Sequence, residues 1–301
     1  MSIRQQSRGR DMEHQIRNES IQITISDVGA ELQSIKKDGT EYLWNGDETY
    51  WKERSPLLFP YVGRFTEGKY LLEGKEYEMN IHGFARKLSY HVICKEEDRI
   101  TFELRDNEAT RGMYPCSFIL QVSYELKGQG IAVTYSVSNS SKGTMYFGIG
   151  GHPGFMVPLE EGLEFDDYYL EFGGVARPER IGHTPACFLS GVNTEFPLED
   201  GKKLWLSHNM FDDDAIVLQN MADEVTLKSD KGTRQVSVSY PNMPYLGIWH
   251  APKTRAPYVC IEPWTSLPSR QDVVEEFKYK SDLIRLAAGE QYVNIWEISI
   301  K

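Results

Sequence analysis

Ile21, Ile23 and Ile25 alternate with Gln22 and Thr24, which is the two-residue period of a strand with one buried face and one wet face. The same alternation returns at Ile100-Phe102-Leu104, Ile131-Val133-Tyr135-Val137 and Val236-Val238-Tyr240. Segments rich in β-branched and aromatic residues predict further strands over 42–44, 70–72, 77–79, 118–126, 145–149, 215–218, 225–227, 258–261 and 292–300. Turn residues punctuate them, as in Glu73-Gly74-Lys75 and Lys127-Gly128-Gln129-Gly130. One stretch, 270–280, reads as a helix, because Val273, Val274 and Phe277 stand at i, i+1 and i+4. So many short strands without helices between them argue against a parallel α/β sheet and predict an all-β fold, a large antiparallel β-sandwich. No Pro-rich or Gly/Ser-rich linker divides the chain, so 18–301 is expected to be a single domain. Residues 1–17 lack periodicity and read as a disordered N-terminal extension.

Composition narrows the function classes. The 301 residues carry 33 Lys and Arg against 44 Asp and Glu, a formal net charge of −11. That balance repels phosphate backbones and anionic membrane surfaces, so nucleic acid and membrane are not expected partners. No run of about 18 apolar residues is present, and the polar, arginine-bearing N-terminus lacks the apolar core of a signal peptide. The expectation is a soluble, cytoplasmic protein. Cys94, Cys116, Cys187 and Cys260 form no CxxC pair, so neither a zinc knuckle nor a dithiol centre is legible, and free, mostly buried thiols are expected. An aromatic content of 12% suits sheets and sugar-stacking surfaces alike.

Candidate chemistry sits where polar groups interrupt apolar or glycine-rich surroundings. Arg64 lies between Tyr61-Val62 and Phe65 in SPLLFPYVGRF (55–65), and a buried arginine there requires a carboxylate or a ligand oxygen. His82 and Arg86 follow in IHGFAR (81–86), and His152 lies in GGHPGF (150–155), where Pro153 favours an extended backbone for the histidine. Glu262 ends an apolar run in CIEPW (260–264), and Asp212-Asp213-Asp214 lead into another. Each has a plain structural alternative: a turn histidine, a carboxylate pairing Arg64 or Arg86, a solvated acidic turn, or core packing for Trp249, Trp264 and Tyr61. His14, His91, His183, His208 and His250 lack comparable surroundings and read as structural. No HxH or HxxxH pair suggests a metal, and no GxSxG elbow suggests a nucleophilic serine. What remains is general acid/base chemistry by a carboxylate and a histidine.

These motifs, in this order, resemble the aldose 1-epimerase (galactose mutarotase-like) family, and more closely its LacX-like branch. Besides the four already quoted, DDAIVL (213–218) and LGIWH (246–250) match, and the likeness spans about 21–300. The resemblance implies a supersandwich of β-strands and interconversion of the α and β anomers of a hexose without a cofactor or metal. It makes Glu262 the base that takes the proton from the anomeric hydroxyl and His152 the acid that protonates the ring oxygen. Arg64, His82 and Asp214 become sugar-binding groups, with Trp249 of LGIWH as a further substrate contact. The IHGFAR stretch also resembles hexose-6-phosphate mutarotases, which would give Arg86, with Arg54 or Arg64, a phosphate to bind. A non-catalytic carbohydrate-binding module is the alternative from a different class, and it would not need both His152 and Glu262.

Overall fold

The computed structural model describes residues 12–301. Two large antiparallel sheets dominate it. One has nine strands, in the spatial order Lys203–Trp205, Tyr169–Phe172, Glu224–Lys228, Val236–Ser239, Gln291–Ile300, Gly130–Asn139, Phe118–Lys127, Arg99–Arg105 and His91–Lys95. The other has eight, running from Thr194–Glu195 through Glu179–Arg180, Ile216–Gln219, Tyr245–Trp249, Tyr258–Trp264 and Gly150–Gly151 to Leu57–Leu58, with Gly154–Met156 also paired to Tyr258–Trp264. Alternation along each strand sends one row of side chains into a shared core. Leu120, Val122, Val133 and Ile298 enter it from the first sheet, and Ile216, Leu246, Ile248, Val259 and Ile261 from the second. The predicted antiparallel sandwich is therefore the fold, and a four-stranded N-terminal sheet packs Ile16, Ile23, Ile25 and Ile35 into the same core.

Two expectations are overturned. Residues 13–17 are not a disordered extension: Glu13–Arg17 pairs along its whole length with Gln22–Ser26, and Ile16 is buried. Residues 1–11 lie outside the described part. The segment 270–280 is not a helix either. Asp272 has φ +61°, Leu71 N–H bonds to the Glu275 carbonyl, and only a 3-10 turn, Phe277–Tyr279, forms. The single α-helix among the described residues is Glu108–Met113, capped by the Asn107 side chain. No helix among them is long and apolar enough to cross a membrane.

Candidate active site

The second sheet has one face against the core, and its other face builds a pocket. Along Tyr258–Trp264 all seven residues are buried. Val259 and Ile261 point into the core, so Cys260, Glu262 and Trp264 share the opposite side. The neighbouring strand repeats the division: Leu246 and Ile248 face the core and Trp249 lines the pocket. Its register sets Gly247 opposite Glu262, and a side chain at Gly247 would collide with the Trp264 ring. The pocket, about 340 Å³, is at the small end of the roughly 300–1,000 Å³ usual for ligand sites, a size suited to one pyranose.

All seven predicted residues, Arg64, His82, Arg86, His152, Asp214, Trp249 and Glu262, line this one pocket. His152 Nε2 and Glu262 Oε2 are 3.1 Å apart. Their directions do not make a hydrogen bond, however, and both Oε2 and His152 Nδ1 are buried without a partner. Burial pushes the Glu262 carboxyl well above its ordinary range, helped by Asp214. It pushes the His152 imidazole down to about 3, with Arg86 acting in the same direction. Both effects favour a neutral pair. No arginine neutralises Glu262 among the described residues, so the structural alternative for that carboxylate does not hold.

His82 is held by a reciprocal pair of bonds. Its N–H donates to the Gly63 carbonyl at 2.7 Å, and its Nδ1 accepts from Gly63 N–H at 3.0 Å. A neutral imidazole must then carry its proton on Nε2, as a donor. Neutrality is enforced by burial first, then by His152, Arg86 and Arg64, which together hold the imidazole well below its usual range. The backbone there is tight: His82 has φ +62°, and a side chain on Gly83 (φ +71°) would lie 2.2 Å from the Phe59 carbonyl oxygen. The His82 and His152 rings meet edge to face, with centroids 5.9 Å apart.

The arginines divide. Arg86 is committed to Glu53, Nη1 to Oε2 at 2.6 Å, with both side chains largely buried. Arg54 turns away to the Gln33 carbonyl and does not line the pocket. The phosphate-binding reading thus loses two of its three cations. Arg64 has no ion-pair partner among the described residues, and its carbonyl is anchored by Ser269 N–H. Of the aspartates, Asp212 and Asp213 are exposed and Asp214 is half-buried. Asp214 sits at φ +81°, with Oδ1 accepting from Ala215 N–H and Oδ2 from the Cys187 thiol at 2.8 Å. A non-glycine residue at that φ is strained, and strain of this kind gathers at working sites.

Sequence reasoning missed Trp51, Glu53, His183 and Cys187, all in the pocket wall. Trp51 packs on His152 with ring centroids 4.8 Å apart, while Trp249 meets the same imidazole edge-on at 5.6 Å. Trp51 and Glu53 stand just before SPLLFPYVGRF, and their flanking charge hides them. His183, read as structural, and Cys187 come from a loop whose ends are bridged at His183 and Leu189. No local pattern marks that loop. All four cysteines are free; Cys116 and Cys260 are buried, Cys94 and Cys187 only partly.

The aldose 1-epimerase family model matches residues 12–299. The plasmid-encoded protein LacX of Lactococcus lactis is 33% identical over 262 residues, covering 84% of this chain and 87% of its own length. A galactose mutarotase-related enzyme from Lactobacillus acidophilus superposes with a TM-score of 0.91 at 35% identity, covering 96% of this chain and 97% of that one. A galactose mutarotase-like protein from Lactobacillus casei gives a TM-score of 0.92 at 31% identity, covering 96% and 100%. With the motifs, the sandwich and the pocket in agreement, the chain belongs to the aldose 1-epimerase family, in its LacX-like branch.

Proposed function

We propose that the protein is a mutarotase for an uncharged hexose, working by general acid/base ring opening and closing. The observation that carries this reading is the buried His152–Glu262 pair, 3.1 Å apart, in a pocket of monosaccharide size. Glu262 takes the O1 proton, the C1–O1 bond becomes a carbonyl, the C1–O5 bond breaks, and O5 receives a proton from His152. Rotation about C1–C2 and reversal of both transfers close the ring on the other face of C1. The pair needs one dissociable proton in all, carried by His152 before ring opening and by Glu262 after it. Burial favours the second arrangement, a neutral acid beside a neutral imidazole. The pocket therefore stabilises the charge distribution of the open-chain stage relative to the ion pair that precedes it.

The remaining wall orients the sugar. His82 Nε2–H and Arg64 donate, Asp214 accepts, and the faces of Trp51 and Trp249 supply apolar cover. A binding module would gain nothing from a carboxyl and an imidazole buried side by side, since both are costly to desolvate.

Polarimetry and exchange NMR on freshly dissolved α-glucose, α-galactose and their 6-phosphates test the proposal. Glu262→Gln keeps the shape and an acceptor oxygen but cannot take a proton, so anomer exchange should fall by about 10²–10⁴-fold. Its melting temperature should not drop, because no buried cation loses a partner. Exchange persisting at wild-type rates in this variant would remove Glu262 as the base.

A further inference from the structure

Cys260 stands two residues before Glu262 on one strand and so lies on the same, site-facing side. The acid/base chemistry leaves this thiol without a task. A nitrogen of His152, the Cys260 sulfur and a Glu262 carboxylate oxygen all lie within 4.8 Å of one another. The three residues are 9%, 0% and 1% exposed. One of their polar atoms, Glu262 Oε2, is buried without any hydrogen-bond partner, a condition that ordinarily costs free energy unless something else satisfies it.

We propose that His152, Cys260 and Glu262 form a three-ligand site for a thiophilic divalent cation of the zinc class, and that its occupation silences the acid/base pair. Imidazole nitrogen, thiolate and carboxylate are the ligand types zinc takes. Bonds of about 2.0–2.3 Å place tetrahedral ligands roughly 3.2–3.8 Å apart. The 3.1 Å separation of Nε2 and Oε2 is already there, and an outer limit of 4.8 Å for the trio asks only for small side-chain rotations. Charge agrees as well: one thiolate and one carboxylate cancel the two positive charges of the ion, so the buried cluster carries no net charge. Two of the three ligands, His152 and Glu262, line the pocket beside Trp51 and Trp249, so an ion held by them would sit at the acid/base pair itself. Calcium and magnesium, which need six or more oxygen ligands, do not suit a site with sulfur and nitrogen in it. Spacing along the chain conceals the cluster, because 108 residues (260 − 152) separate the histidine from the cysteine.

Binding and activity are read separately on the full chain after chelator treatment. Cobalt(II) is the optical probe: a thiolate-to-cobalt charge-transfer band should appear with one equivalent, and zinc should displace it. Zinc should also abolish anomer exchange reversibly, with chelator restoring it. Cys260→Ser should lose the band and retain metal-free exchange near the wild-type rate. Loss of even an outer-shell partner costs about 10–100-fold in metal affinity, so zinc should inhibit this variant at least that much more weakly. Cys260→Ala serves the same purpose if serine is poorly tolerated in the buried site. A missing thiolate band, equal zinc sensitivity in wild type and both variants, or zinc activation would overturn the proposal. A cobalt band in a protein without metal-free exchange would support the site and count against the mutarotase reading alone.

Discussion

Arg86 shows how a single contact changes a functional reading. In sequence its motif resembles that of hexose-6-phosphate mutarotases, but in the structure its guanidinium is spent on Glu53, and its Nη2 approaches only the Ile81 carbonyl, at 3.4 Å. Arg86→Ala should therefore act through stability. Breaking a buried pair costs roughly 3–5 kcal/mol, and the partial exposure of Glu53 places this case at the lower end. Exchange rates on glucose and on glucose 6-phosphate should fall in the same proportion, and adding Glu53→Gln should recover part of the lost melting temperature. A loss confined to the phosphate ester would return Arg86 to the role the motif suggested. Arg64 differs because it has no ion-pair partner among the described residues, so under the proposed function its donors are left for substrate oxygens.

Strands were legible mainly where buried and wet positions alternate over many residues, while Leu32–Lys37 and Tyr245–Trp249, whose alternation is broken, were not. Phe118–Lys127 and Gly130–Asn139 alternate almost perfectly between buried and half-exposed positions. Glu13–Arg17 was not legible, because it is an edge strand with only Ile16 fully buried, too little for a period to show. The false helix at 270–280 rested on three apolar residues; Val273 is exposed, and the backbone of this segment bonds to neighbouring segments instead of to itself. Site motifs could be read because glycine, proline and charge mark them, whereas Trp51 and Cys187 enter the pocket through tertiary placement alone. The end of Tyr245–Trp249 carries a device of this hidden kind. His250, fully buried, donates from Nδ1 to the Ala251 carbonyl at 2.8 Å, so its Nε2 accepts from His208 Nδ1 at 3.1 Å. Burial is the main reason its imidazole is held down to about 4; His208 adds to the effect, while the Ala251 carbonyl and Asp212 oppose it. The unfolded chain takes up this proton below about pH 6.5 and the folded one only near 4, so stability should fall as pH drops through that window. The slope from this one group approaches about 1.4 kcal/mol per pH unit. Denaturant melts of wild type and His250→Gln between these limits measure it: the variant should show a shallower dependence, and parallel curves would show that His250 does not contribute.

At the scale of the whole molecule the charge distribution sets an expectation, under the proposed function, for which sugars approach. The chain carries −11 overall, and the pocket repeats that sign. Glu53, Asp213, Asp214 and Glu262 line it beside only two arginines, one of them already paired. Burial pushes the Glu262 carboxyl toward its neutral form, and Asp213 and Asp214 still stand against Arg64, the one arginine of the pocket without an ion-pair partner among the described residues. A hexose 6-phosphate, with about −1.5 to −2 charges near neutral pH, must enter against both fields. An uncharged hexose meets neither. The expected outcome is a higher kcat/KM for glucose or galactose than for the corresponding 6-phosphate, with a difference that depends on salt. Between about 0.01 M and 0.15 M ionic strength the screening length shrinks from roughly 30 Å to 8 Å. Over that range kcat/KM for the phosphate ester should rise while the value for the free sugar stays flat. A phosphate ester preferred at low salt, with a rate that declines as salt is added, would mean that Arg64 dominates the local field and that the substrate is an anion.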